Sequence, residues 1–366
     1  MTTAALIEKL VRPEIRALSA YHVPDATGLI KLDAMENPHP WPDELREAWL
    51  DELRSAEVNR YPDPRSPALQ DALRQSMGIP DDAALLLGNG SDELIQMLAL
   101  TIATPGRTVL SFDPGFVMYR MIALFAGLNY VGVPLRADDF GLDLDLTLEA
   151  IERERPALIF IAYPNNPTGN LFDTSTIEAI IAASPGLVIL DEAYAPFTDT
   201  SFLPHLGRWP NLLVMRTVSK MGLAGLRLGY MAGPPEWIDE IDKTRLPYNI
   251  NVLTQASAAF ALSHKYVFDT QTQAIRAQRT ELMAALTDLD GVEPYPSEAN
   301  FVLVRTLKGQ AGAIFEGLRQ RGVLIKRLDG SHPLLADCLR ITVGTAEENL
   351  ALLAALRETL AALPTG

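Results

Sequence analysis

Only seven lysines occur in the 366 residues, and between Lys31 and Lys243 there is just one, Lys220. It stands in RTVSKMGLAGLRLGY (216–230), directly after the apolar run LLVM and before Gly222, Gly225 and Arg227. A lysine placed after a buried run and among small residues is set up to lose its proton, because desolvation and nearby cations disfavour the ammonium. A primary amine of that kind can act as a nucleophile or a base. A second candidate is Asp191, which ends the apolar run VILD in VILDEAY (188–194). Buried there, a carboxylate needs a cationic or N–H partner, or it becomes protonated.

Three more motifs sit at comparable places. In AYPNNPTGN (162–170) prolines, Thr168 and Gly169 make a rigid turn, but a turn alone does not account for two asparagines just past an apolar strand. In LLLGNGSDELI (85–95) Gly90, Ser91 and Asp92 open a helix, where free backbone N–H groups can hold a phosphate. Ordinary helix capping by Ser91 is the competing reading. In DPGFVMY (113–119) Phe116 could stack on a flat ring or simply fill the core. One cysteine, Cys338, excludes an internal disulfide, and neither a metal-ligand cluster nor a Ser-His-Asp order stands out. None of the five histidines falls in these motifs.

The elements that must position these residues can be read from periodicity. From about residue 80 to 235, short apolar runs (107–112, 129–135, 157–163, 187–194, 212–217 and 226–233) alternate with helical patterns. Such alternation predicts an α/β fold with a mostly parallel sheet covered on both faces. Ligands of such sheets bind beyond the carboxyl ends of the strands, where these motifs stand. A helix or helix pair is expected over 251–290, followed by strand, helix, strand, strand and helix in a smaller α+β unit. The expected division is an N-terminal arm (1–35) packing on the small unit, a large domain (36–255) and a small C-terminal domain (256–366). The proline-rich stretch 37–67 is expected to wrap a surface without regular structure.

The net charge of −15 argues against nucleic acid or an anionic membrane as partner, so an anionic substrate must meet local arginines. No run reaches the ~18 apolar residues of a membrane span. The N-terminus lacks the apolar core of a signal peptide, and the expectation is a cytoplasmic soluble protein.

One cofactor answers all five motifs together. A pyridine ring that stores electrons works best with its nitrogen protonated, which a buried aspartate enforces. Its phenolate oxygen wants donors, which Asn166 and Tyr194 could supply, and its phosphate wants N–H groups, Ser91, Ser219 and Arg227. That cofactor is pyridoxal 5′-phosphate. The ordered set GNGSDE, PNNPTG, DEAY, SK..LAGLR and LRITVG resembles a fold-type-I pyridoxal-phosphate aminotransferase of class II, and most closely the histidinol-phosphate aminotransferases. The resemblance covers nearly the whole chain.

It implies that Lys220 is joined covalently to the cofactor, with Asp191 on the ring nitrogen. Asn166 and Tyr194 would bond the ring hydroxyl, and Phe116, where the family usually has tyrosine, would cover the ring face. Gly90, Asp92 and Thr217 would complete the cofactor site. Tyr61 would reach the neighbouring subunit's phosphate site, which makes a homodimer necessary. Arg340 of CLRITVG would grip the substrate carboxylate, Arg327 the substrate phosphate, and Tyr21, Asn37 and Tyr248 would line the pocket. The spacing from Lys220 to Arg227 is seven residues, where many relatives have eight. The implied reaction moves the amino group of L-histidinol phosphate to 2-oxoglutarate by ping-pong kinetics. Alternatives are a decarboxylase acting on threonine phosphate, an aminotransferase for aromatic amino acids, and a non-catalytic cofactor-sensing regulator.

Overall fold

A computed structural model describes residues 1–20 and 23–363. Its strands run in chain order as β1 (Ile30–Leu32), β2 (Ala84–Gly88), β3 (Thr108–Asp113), β4 (Asn129–Pro134), β5 (Leu158–Ala162) and β6 (Leu187–Asp191). They continue as β7 (Leu212–Thr217), β8 (Gly229–Gly233), β9 (Val292–Pro294), β10 (Phe301–Thr306), β11 (Val323–Arg327) and β12 (Cys338–Thr342). Seven of them form one sheet in the order β2-β8-β7-β6-β5-β3-β4. β8 runs antiparallel to both of its neighbours, and the remaining pairs are parallel.

The central strands read as unbroken apolar runs because each face has its own core. Ile159, Ile161, Val188, Leu190, Leu212 and Val214 join one cluster, while Leu158, Phe160, Leu187, Ile189, Leu213 and Met215 join the other. Alternate side chains leave a strand on opposite faces, so a strand sandwiched between helices must be apolar at every position. Helices then pack on both sides. Asp143 and Asp173 cap two of them, Leu144–Glu154 and Thr174–Ala183, by accepting from the third backbone N–H.

Four of the remaining strands, with β1, make the small sheet, ordered β1-β11-β12-β10-β9. One face carries the helices Ala311–Gln320 and Ala346–Ala362, through Ile314, Leu318, Leu352 and Leu356 against Val302, Val304, Leu339 and Ile341. The opposite face, with Leu303, Leu328 and Cys338, joins the core of the large sheet. The first 35 residues divide between the two sheets. β1 pairs in parallel with β11, whereas Arg12 donates to the carbonyl of Phe125 on the large side.

One stretch differs from expectation. The proline-rich stretch contains the helix Asp43–Leu53: Pro42 is its cap, Asp43 and Glu44 fill its first turn, and Trp49 donates to Ser257. Here proline marks a helix start, a position where its missing N–H leaves no gap. The 251–290 region is a pair, Val252–Ser263 and Lys265–Thr287. The longer helix spans both cores, with Phe268 in the first and Ile275, Leu282 and Leu286 in the second. Among the described residues, no helix is long and apolar enough to cross a membrane.

Candidate active site

The carboxyl ends of β5, β6 and β7 converge on a pocket lined by Asp191, Tyr194, Asn166, Thr217, Ser219 and Lys220, with Ser91, Asp92, Phe116 and Arg227 at its rim. Asp191 is the last residue of β6 and is buried. Its partners are the Tyr119 hydroxyl, which donates at 2.7 Å, and the Ala193 N–H, which donates at 3.1 Å. Neither is a cation. Burial pushes the Asp191 carboxyl up to about 6, against the lowering effect of those two donors. A cationic ring nitrogen beside it would supply the charge that the protein withholds. Tyr119 carries no separate signal in the sequence, although it stands one helical turn after Phe116 in the same motif. It stacks on Phe160 at 4.6 Å and meets Phe116 edge-on at 5.4 Å.

Lys220 lies in a short 3₁₀ turn, Ser219–Met221, immediately past β7. Its Nζ points toward the Ala34 carbonyl at 3.4 Å and lies 5.8 Å from the Tyr194 ring centre. Burial, then the charge of Arg340, then that of Arg227, bring the amine down to about 8, with Glu36 acting in the opposite direction. The expectation of an amine poised to lose its proton therefore has a physical basis in this fold.

The paired asparagines have separate tasks. Asn165 is internal to its turn, donating to the Pro114 carbonyl and the Thr168 hydroxyl. Asn166 faces the pocket, donating to the Tyr194 hydroxyl at 3.1 Å and accepting from Arg340 at 2.6 Å. Arg340, on β12, also donates to the Asp33 carbonyl and lies over the Phe301 ring. The second acid of DEAY, Glu192, is structural: it accepts from Arg216, Ser201 and the Phe202 N–H, fastening the ends of β6 and β7 together.

At the other end of the pocket, Ser91 is the first residue of the helix Ser91–Ile102, whose cap is Gly90 and has no side-chain partner. The capping reading of Ser91 therefore does not hold, and the first-turn N–H groups keep their anion-binding potential. A Cβ on Gly90 would stand 2.6 Å from the Arg227 guanidinium, and one on Gly229 only 2.8 Å from the Ser91 nitrogen, so both glycines permit this close approach. The seven-residue step from Lys220 to Arg227 is made by two 3₁₀ turns and ends with Arg227 in the left-handed region at φ 49°. That turn aims Arg227 back across Gly90, near Asp92 at 3.6 Å. Thr217 donates to the Leu228 carbonyl and accepts from the Ser219 N–H. A buried acid, a desolvated amine, two donors opposite it and an uncapped helix start beside an arginine fit a flat, phosphorylated pyridine.

Other predicted residues stand elsewhere. Tyr61 is 81% exposed and stacks on Tyr248 at 4.5 Å, and within one chain neither lines this pocket. Asn37 bridges the Met221 carbonyl and Gln271, bracing the turn that carries Lys220 instead of lining the pocket. Arg327 pairs with Asp329 at 2.7 Å and packs by Gly312, on the helix-covered face of the small sheet. The reason is register: Arg327 opposes Leu339, whereas Lys326 opposes Arg340 and shares its face. Tyr21 lies outside the described residues. Met35 and Tyr119 are the additions to the pocket, and only Tyr119 lies within a motif that composition and spacing mark. Among the described residues, no group of three or more metal-ligating side chains occurs.

The family model for aminotransferase class I and II matches residues 27–356. A histidinol-phosphate aminotransferase of Nitrosococcus oceani is 57% identical over 96% of this chain and 97% of its own. One from Chromobacterium violaceum is 55% identical over 96% and 98%. The crystal structure of histidinol-phosphate aminotransferase from Sinorhizobium meliloti in complex with pyridoxal 5′-phosphate superposes with a TM-score of 0.87 at 27% identity, covering 97% of this chain and 98% of that one. With the strand-end pocket and these likenesses in agreement, the chain belongs to the class I and II aminotransferases and, among them, to the histidinol-phosphate aminotransferases.

Proposed function

We propose that this chain is a transaminase that moves the amino group of L-histidinol phosphate to 2-oxoglutarate, yielding imidazole-acetol phosphate and L-glutamate in histidine biosynthesis. The observation that carries transamination is the half-buried Lys220 amine, lowered to about 8 in a pocket it shares with Asp191 and beside Arg340. The donor is supported by near-full-length likeness to histidinol-phosphate aminotransferases.

Pyridoxal 5′-phosphate supplies, when bound, an aldehyde that takes up the amino group and a ring that stores an electron pair. The chain's own residues do the rest. Asp191 would hold a proton at the ring nitrogen, which would relieve its own uncompensated burial. Asn166 and Tyr194 would donate to the ring hydroxyl oxygen, and Phe116 would cover one ring face. Gly90, Ser91, Asp92, Thr217, Ser219 and Arg227 would hold the cofactor phosphate. Lys220 would take the proton from the donor's Cα and return it at C4′ of the cofactor; an amine near neutrality suits both directions.

Arg340 takes the α-carboxylate of glutamate or 2-oxoglutarate. L-Histidinol phosphate has no carboxylate, so the anion it offers Arg340 is its phosphate, with Lys326 on the same face as second cation. We also infer a homodimer in which Tyr61, exposed here, reaches the partner's phosphate site, and a cytoplasmic location. The chain is read as an arm (1–35), a large unit and a small unit. The second boundary moves from 255 to the break at His264, because Val252–Ser263 packs on the helices Asp43–Leu53 and Pro67–Met77.

The test is to mix the purified holoenzyme with L-histidinol phosphate and follow the cofactor's visible band. Rapid conversion to the aminated form, faster than with phenylalanine or threonine phosphate, is expected. Slow conversion beside a fast alternative donor, or carbon dioxide release from threonine phosphate, overturns the reading.

A further inference from the structure

Met35 combines three properties. It is a bulky residue at φ 54°, in the left-handed region that such side chains seldom occupy. Its backbone is gripped from both sides: the Met35 N–H donates to the buried Thr342 hydroxyl at 3.0 Å, and its carbonyl accepts from the buried Asn300 amide at 3.0 Å. And it lines the Lys220 pocket, to which the other lining residues come from between Ser91 and Arg227. Met35 thus enters from the small-sheet side, opposite the residues that surround the cofactor. A strained backbone persists where its surroundings over-determine it, and such strain gathers at functional sites.

The neighbours of Met35 fix what it faces. The Asp33 carbonyl accepts from Arg340, and the Ala34 carbonyl faces the Lys220 amine at 3.4 Å. Three successive residues therefore run from the anion clamp past the reacting nitrogen. A donor whose amine takes the place of the Lys220 amine, and whose anion sits at Arg340, must direct its remaining substituent along this strap. Met35 also packs against the cluster that contains Tyr194 and Phe301. Its thioether is suited to the edge or face of a flat ring.

We propose that Met35 is a specificity-determining residue: its side chain is the apolar wall against which the ring of the amino donor packs, and the left-handed turn exists to present it. The inference rests on the proposed reading of a ring-bearing donor. Single-turnover conversion of the holoenzyme is measured with L-histidinol phosphate and with glutamate, which has no ring. Met35→Ala and Met35→Gly each lower the ratio of the two kcat/KM values by roughly tenfold or more, the scale of losing one apolar side chain from a pocket. Met35→Leu, close in volume, holds the ratio within about threefold. Glycine tolerates φ 54° and alanine does not, so Met35→Gly melts at or above Met35→Ala. Equal ratios in two variants of unequal stability tie the effect to the side chain. A ratio unchanged in both the Ala and Gly variants overturns the proposal. Should the wild type prefer phenylalanine, the substrate reading fails while the Met35 test proceeds on that donor. A wild type that accepts no ring-bearing donor overturns both.

Discussion

Asp191, Thr217 and Lys220 hang from the ends of strands buried on both faces, whereas Met35 and Arg340 meet the same pocket from the side of a small sheet whose first strand has three residues, with Lys326 on the face that carries Arg340. On the large-sheet side a polar residue is placed by the length of an apolar run. On the small-sheet side it is placed by which face a residue takes, and one step along β11 exchanges Lys326 for Arg327. The first side therefore sets the chemistry, and the second sets which substrate meets it.

If that division is right, the largest losses come from the large-sheet side. Lys220→Ala should slow both half-reactions by about 10⁴-fold, the upper range for a lost general base, in stopped-flow measurements with either donor. A loss confined to one donor would break the division. Asp191→Asn should reduce turnover by about 10²-fold or more and weaken cofactor retention, since a neutral amide no longer favours a protonated ring nitrogen.

The cofactor-free protein gives an independent reading of Asp191. Its folded pKa is raised from 3.8 to about 6, so the folded state binds this proton more tightly than the unfolded chain. Stability contributed by the neutral acid is fully present below about 4 and is lost as pH rises through about 6. Relative to Asp191→Asn, the wild-type apoprotein should lose up to about 3 kcal/mol across that window in denaturant titrations. A flat difference would show that the site supplies the charge by itself.

Smaller effects sharpen the contrast on the other side. Lys326→Ala should lower kcat/KM for a phosphorylated donor by about tenfold, while Arg327→Ala, an exposed ion pair, should change it by less than about twofold. The reverse order would put the register argument in error. A smaller loss than that of Lys326→Ala is expected for Tyr119→Phe. Removing a donor to the carboxylate raises the Asp191 pKa further and should weaken cofactor binding by roughly fivefold, about 1 kcal/mol, in spectroscopic titrations.

Much of the large sheet could be read in advance because two-sided burial writes itself as continuous apolar sequence, and the motif residues fall just beyond each run. Lys220 was marked by its rarity and Asp191 by its charge at a buried end. What could not be read depends on pairing. Facing across β11 and β12 decides Lys326 over Arg327, and no local pattern reveals register. Met35 carries no chemical signal in its type, and its significance lies in φ and in two long-range hydrogen bonds from Thr342 and Asn300. The helix Asp43–Leu53 was hidden by prolines that punctuate its start instead of forbidding it. Tyr61 and Tyr248 form an exposed stack whose expected task lies in a partner chain, beyond any single-chain pattern.

The most direct measurement is to reduce the holoenzyme with borohydride, digest it with trypsin and map the stable pyridoxyl label by mass spectrometry. The label should sit on the single peptide 217–227, at Lys220, with its loss in Lys220→Ala. A label on any of the other six lysines, or a correctly folded preparation that takes up no cofactor, would contradict the account.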